Sequence, residues 1–223
     1  MRYIKNLGIF VFFLSLGLGG DRIAVATKVI GSVHYIRGKG ESTILKKGHI
    51  FESGDILKTD KDSFAALIFI DDKSALKVKE NTEIIISGKR SAKAIAKEIN
   101  LDGGIIRAQV NKQLRGDFII RTSVSVASVK GTDFWLISDK NTGDSIIGIE
   151  GVVMLMNQKS GETLNITSGI TSFSTQDGAI QSFKTDPKTI PNDPTAGEGD
   201  DKILEIEFKD ASGKRKTLII KYN

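Results

Sequence analysis

Ser63-Phe64-Ala65-Ala66-Leu67-Ile68-Phe69-Ile70 is apolar on both faces of an extended chain. Phe64, Ala66, Ile68 and Ile70 point one way, and Ala65, Leu67 and Phe69 the other. Such a strand belongs inside a sandwich or solenoid rather than at a half-solvated surface. Outward from it, Asp71-Asp72-Lys73 turns the chain, Ala75 to Val78 begins the next strand, and Glu83 to Ile86 follows a turn at Glu80-Asn81. Glycine precedes branched apolar strands at Gly103-Gly104-Ile105-Ile106, Gly151-Val152-Val153 and Gly169-Ile170-Thr171. The intervals are unequal, which points to a sheet built by reversals of direction and not to a fixed-period repeat. Lys89 to Asn100 is ambiguous: Ala92, Ile95, Ala96 and Ile99 fall at helical spacing, yet the neighbouring strands also fit an irregular excursion. With 23 glycines, 3 prolines and no cysteine in 223 residues, the expectation is an all-β fold of many short strands, stabilised by a core and not by disulfides.

The N-terminus reads as a targeting segment. Arg2 and Lys5 precede an almost unbroken apolar run from Leu7 to Leu18, and Ala24-Val25-Ala26 supplies small residues at signal-peptidase spacing. The run is shorter than the roughly 20 residues a bilayer-crossing helix needs. The expectation is a signal peptide over 1–26, cut after Ala26, with a periodic-strand domain over 27–183, periplasmic or secreted, and no stable membrane span once the leader is gone. Removing 1–26 takes away Arg2, Lys5, Arg22 and Asp21, leaving 29 basic and 26 acidic residues and a net charge of +3. So mild and evenly spread a charge argues against nucleic acid as a partner.

Composition changes at Lys184. Residues 184–202 hold all three prolines and little to bury, and read as an extended linker. Residues 203–223 read as a β-hairpin closed by Ala211-Ser212-Gly213, with Leu204 facing Ile220 and Ile206 facing Leu218. A lone hairpin is marginal in water, so its apolar face (Leu204, Ile206, Leu218, Ile220) must dock on its own domain or on a partner.

The order of motifs resembles the FecR (iron-dicitrate sensor) domain family from about Gly31 to Gly169. The carriers are Gly31-Ser32-Val33 with Arg37, then Leu45-Lys46-Lys47-Gly48-His49-Ile50, Ser53-Gly54-Asp55-Ile56-Leu57-Lys58-Thr59 and Ser63 to Phe69. Leu101-Asp102-Gly103-Gly104-Ile105, Val129-Lys130-Gly131-Thr132-Asp133-Phe134 and Glu150-Gly151-Val152-Val153 complete them. The resemblance implies a β-sandwich or β-solenoid-like domain outside the cytoplasm. It marks Gly54, Asp55, Gly104, Gly131, Thr132, Phe134 and Gly151 as family-motif positions. Typical members join this domain to a cytoplasmic anti-sigma segment and a membrane helix, and relay a signal from an outer-membrane transporter. Here only six residues precede the apolar run, so the expected role is contact or sensing at the cell envelope and not direct transcriptional control.

Sharper chemistry finds little support. Gly131 reads as a turn requiring positive φ, with Thr132 able to bond nearby backbone. Trp135, the single tryptophan, lies on an apolar face and reads as core. His34 and His49 have no third ligand at metal spacing, and Asp60, Asp62, Asp71 and Asp72 sit in turns where aspartate is expected without calcium. No nucleophile-base arrangement, paired carboxylates or phosphate-binding loop stands out, so neither enzymatic activity nor a cofactor is expected. Asn165-Ile166-Thr167 is a formal glycosylation sequon. The expected partner is an envelope protein. The alternative is a carbohydrate-binding module taking a polysaccharide, which would need exposed aromatics on one face.

Overall fold

The computed structural model describes residues 22–91, 94–112, 118–195, 202–210 and 212–222. Most of the expected leader and part of the 184–202 stretch lie outside them. Among the described residues twenty strands follow one another: β1 Arg22–Ile30, β2 Val33–Ile36, β3 Thr43–Ile44, β4 Ile50–Glu52, β5 Asp55–Thr59, β6 Phe64–Phe69, β7 Ala75–Val78, β8 Thr82–Arg90, β9 Ile95–Leu101 and β10 Gly104–Val110. Then come β11 Phe118–Arg121, β12 Ser125–Val129, β13 Thr132–Asp139, β14 Gly143–Glu150, β15 Val152–Asn157, β16 Thr163–Thr167, β17 Ile170–Ser174, β18 Ile180–Lys184, β19 Lys202–Lys209 and β20 Arg215–Tyr222. One 3-10 turn, Pro187–Thr189, lies between β18 and β19. Among the described residues no helix is long and apolar enough to cross a membrane.

Two nine-stranded sheets form a sandwich, ordered β18-β17-β14-β13-β10-β7-β6-β1-β4 and β16-β15-β12-β11-β9-β8-β5-β2-β3. The chain alternates between them, laying one or two strands in one sheet before crossing to the other. Of the sandwich alternatives the sequence left open, this is a two-layer core with solenoid-like winding. A single cluster drawn from both inner faces fills it, including Leu67, Phe69, Ile106, Phe134 and Ile146 from the first sheet and Ile86, Ile99, Phe118, Ile120 and Leu155 from the second. Ser63 to Ile70 behaves as its two apolar faces require. Ala65, Leu67 and Phe69 enter the main core, while Ile68 packs on the outer side with Val25 and Ile220.

One expectation changes. The stretch after Lys89 is neither helix nor irregular excursion: β8 runs to Arg90, and β9 pairs with it from Ile95 to Leu101. Ile95, Lys97, Ile99 and Leu101 alternate inward, so a period of two prevails where apolar spacing alone suggested a helical turn. Ala92 lies outside the described residues. At the N-terminal end, Ile23, Ala24, Val25 and Ala26 are all 0% exposed in β1. β1 is hydrogen-bonded to β4 on one side and β6 on the other. In the stretch from Lys184, Lys184 ends β18 and Asp193 is anchored to the first sheet.

Candidate interaction surface

The family-motif residues cluster where the chain passes between sheets. β12 ends in the second sheet at Val129 and β13 starts in the first at Thr132, while β14 ends in the first at Glu150 and β15 starts in the second at Val152. Gly131 and Gly151 are the crossing points, each at φ +77°. They touch: a Cβ on Gly151 would fall 2.4 Å from the Gly131 carbonyl oxygen. Two chains crossing in opposite directions at one place need both a left-handed backbone and no side chain, which only glycine supplies. Gly104 lies against Thr82 at another crossing, where the Ile105 N–H donates to Thr82 Oγ1 at 2.9 Å. Phe134 is fully buried, as is Trp135. Thr132 does not bond the turn as expected. Its buried Oγ1 has no hydrogen-bond partner among the described residues, because the methyl-bearing side packs toward Gly151.

Gly54 turns β4 into β5 on the surface, and Asp55 is buried just after it. Arg37 clamps Asp55 with two bonds, Nε to Oδ1 at 2.9 Å and Nη2 to Oδ2 at 2.7 Å, and the Glu52 N–H donates to the same carboxylate at 2.9 Å. The Arg37 guanidinium is raised above its ordinary value, first by the hydrogen bond to Asp55. Nearby, His49 lies against the ring of Tyr35 at 3.9 Å and of Phe51 at 5.0 Å. Burial and then the Arg37 charge lower its pKa, so it is a neutral packing residue. His34 instead meets Ser32 and Asp60.

The aspartates considered for calcium divide. Asp60 accepts from Ser32 Oγ at 2.7 Å. Asp71 and Asp72 bracket Lys97 Nζ at 2.9 and 2.7 Å. The Lys97 side chain is 0% exposed and lies over Phe69. This buried cation was missed in the sequence because Lys97 resembles a solvent-facing lysine unless β9 is read as a strand.

A groove of about 550 Å³ opens beside the Gly131 crossing, lined by residues including Gln109, Asn111, Lys112, Lys130, Asp133 and Glu150. Lys112, Lys130 and Glu150 are exposed, whereas Asp133 is held by Arg107 through Nε at 2.8 Å and Nη2 at 2.7 Å. That hydrogen bond comes first among the influences raising the Arg107 pKa. Arg107 also lies over the Trp135 ring, 5.6 Å from its centre. Phe134 and Leu136 face the core, so Trp135 faces outward, yet it is 1% exposed. The segment that crosses this face carries Asp193, whose Oδ2 accepts from Lys77 Nζ at 2.7 Å and from Arg107 Nη1 at 2.6 Å.

The hairpin packs on the same face. Its register pairs Leu204 with Ile220 and Ile206 with Leu218. Ile220 is buried with Val25 and Ile68, Ile206 and Leu218 pack against them, and Arg22 lies over Phe208 at 5.4 Å. Of the two docking alternatives, the structure shows the hairpin on its own domain. Farther along the first sheet, Phe173 and Phe183 stack with centroids 5.4 Å apart and remain 44% and 47% exposed.

A sandwich whose chain winds between two sheets through glycine crossings defines the class: an all-β module presenting motif turns, a charged groove and a covered outer face. Residues 55–154 match the model of the FecR protein family. That span is shorter than the Gly31 to Gly169 resemblance, and it includes Asp55, Gly104, Gly131 and Gly151. No curated protein matches the chain. Among solved structures it is similar to a candidate anti-sigma factor from Parabacteroides distasonis ATCC 8503 solved at 2.50 Å. The TM-score is 0.51 and the identity 12%, over 60% of this chain and 61% of that one. A second structure of such a factor from that organism, at 1.65 Å, aligns with TM-score 0.49 and the same identity and coverage. The chain thus spans 61% of the length of the first structure's chain, and that likeness speaks to the fold.

Proposed function

We propose that this protein is a non-catalytic sensing module of the cell envelope, exported and acting through contact with another envelope protein. The observation that carries this reading is the FecR family match over residues 55–154, with the charged groove at the Gly131 crossing as the contact surface. Side-chain chemistry is in keeping with it. The buried charges Asp55, Lys97 and Asp193 are each engaged in ion pairs that tie elements together, a structural use of buried charge. For export, the burial of Ile23 to Ala26 favours cleavage upstream of Arg22, where Gly17 and Gly19 offer another small pair at peptidase spacing.

The test places a photocrosslinking residue at Lys130 in the groove or at Lys39 on a distant turn, in the native host, after fractionation of the envelope. One protein captured reproducibly from Lys130 and not from Lys39, with the full chain in the periplasm or medium, supports the reading. Cytoplasmic retention or no site-dependent capture overturns it.

The exposed Phe173–Phe183 stack favours a second reading, a carbohydrate-binding module, because sugar faces pack on such aromatic surfaces. Retention on envelope polysaccharide that Phe173→Ala and Phe183→Ala together abolish would establish it over the first.

A further inference from the structure

β18 forms one edge of the first sheet and is solvated on both of its faces. It is hydrogen-bonded to β17 alone. Gln181, Ser182, Phe183 and Lys184 are all exposed, although successive residues of a strand point to opposite faces, so among the described residues neither face is covered. The direction of its backbone groups follows from two bonds. The Thr175 N–H donates to the Ala179 carbonyl at 3.0 Å and the Thr185 N–H to the Gly169 carbonyl at 2.9 Å. In the register that pairs Ser174 with Ile180 and Ile170 with Lys184, these bonds put Gln181 and Phe183 at the positions bonded to β17. The N–H and C=O groups of Ile180, Ser182 and Lys184 therefore point to the open edge.

Proteins blunt such an edge with charge, proline or a bulge. β18 has no proline, and its single charge, Lys184, stands at its end. The far side of the sandwich ends in the short strands β4 and β3, three and two residues long. β16, the remaining edge, exposes only Thr163, Asn165 and Thr167. Of these four edges, β18 joins a five-residue strand to exposed aromatic rings, Phe183 at 47% and its stacking partner Phe173 at 44%. We propose that β18 pairs antiparallel with β18 of a second copy of this chain, about a two-fold axis normal to the sheet at Ser182. That axis sets Ile180 opposite Lys184 of the second copy, so all five residues are matched and the two lysines stand at opposite ends of the ladder. Phe183 lies diagonal to its symmetry mate on the same face, about 7–8 Å away and within reach of aromatic side chains. The two Phe173–Phe183 stacks then meet as one row of four rings. An arbitrary extended peptide would satisfy only the edge and a sugar only the rings, whereas a second copy supplies both in register. The ladder is short, so the dimer is concentration-dependent and not obligate.

The chain has no cysteine, so the axis can be tested in the full chain with single thiols. Ser182→Cys puts two thiols across the axis with Cα atoms about 5.5 Å apart, inside disulfide range. Lys184→Cys puts them about 14 Å apart along the strands. Mild oxidation is expected to link Ser182→Cys into a covalent dimer and to leave Lys184→Cys unlinked. Sedimentation velocity of the parent should show dimer growing with concentration. Ser182→Pro removes an N–H that its own sheet does not use, and should abolish the dimer without lowering the melting midpoint measured at low concentration. Should that variant not fold, the two thiol variants decide alone. Asn165→Lys, a charge on the edge strand β16, should dimerise as the parent does. A parent that is monomeric at every concentration overturns the proposal, as does a dimer that survives Ser182→Pro or is lost in Asn165→Lys. Equal linking through both thiol positions overturns the register.

Discussion

Asp193 Oδ2 and Arg107 Nη1 stand 2.6 Å apart, joining residues 86 positions apart in sequence and fastening the segment after β18 across the outer face of the first sheet. Lys77 reaches the same oxygen, and Thr195 donates to Oδ1 through its N–H and its hydroxyl. Burial alone would raise the Asp193 pKa, but the Lys77 and Thr195 hydrogen bonds outweigh it and hold it at about 2.

Replacing Asp193→Asn is expected to cost roughly 1.5–3 kcal/mol, the range for hydrogen bonds to charged groups. Asp193 holds Arg107, which lies over the Trp135 ring, so the variant's tryptophan emission should shift to the red before global unfolding. An unchanged spectrum would mean that Trp135 is covered without the Asp193 anchor. The pH dependence has a definite sign. A folded pKa near 2 against an ordinary value of 3.8 gives stability that is present above about pH 4 and lost as pH falls toward 2. In Asp193→Asn this acid component should be missing.

His49 sets a second pH window. Its folded pKa is lowered from 6.5, so stability is full above that value and declines as pH falls below it toward the folded pKa. His49→Phe keeps the ring contact with Tyr35 and should flatten the profile of denaturation midpoints between pH 7.5 and 5. A variant as acid-sensitive as the parent would assign the effect to another group.

The glycine crossing makes a graded prediction. Gly151→Ala meets both a positive φ and the Gly131 carbonyl 2.4 Å from the new Cβ, while Gly131→Ala meets Lys112 Cα at 3.2 Å. Backbone strain alone costs about 1–2 kcal/mol. Chemical denaturation should therefore show Gly131→Ala near that loss and Gly151→Ala clearly beyond it. Equal losses would show that the second crossing relaxes freely.

Truncation separates the two parts of the C-terminal segment. A chain ending after Thr195 keeps the Asp193 anchor and loses only the hairpin, exposing Val25 and Ile68. It should melt cooperatively with added dye-binding surface. A chain ending at Phe183 also removes the Asp193 bond to the Arg107 that lies over Trp135 and should melt lower. Identical midpoints would argue that the anchored segment contributes nothing to the fold.

The proposed export makes a measurable prediction about the N-terminus. Intact mass of protein from the envelope fraction should place residue 22 inside the mature chain. A start at Thr27 would remove the buried half of β1 and contradict the sheet.

Local sequence was enough to read the strands whose pattern repeats every two residues. Ser63 to Ile70, Phe134 to Ile137 and the hairpin register all follow from which side chains must leave water, because that demand is met within a few residues. The same logic made Trp135 a core residue and placed Gly131 in a turn. It failed where the deciding partner is distant in the chain. Lys97 is buried because Asp71 and Asp72 arrive from another strand pair, and Ile23 to Ala26 are buried because β4 and β6 flank them. Asp193 is anchored because Lys77 and Arg107 stand in the sheet it crosses. Asn157 and Ser174 become neighbours because two sheets stack. A periodicity can say that a side chain must be covered. What covers it, and which charges meet in the covered space, is fixed by long-range pairing, and only the tertiary structure decided it.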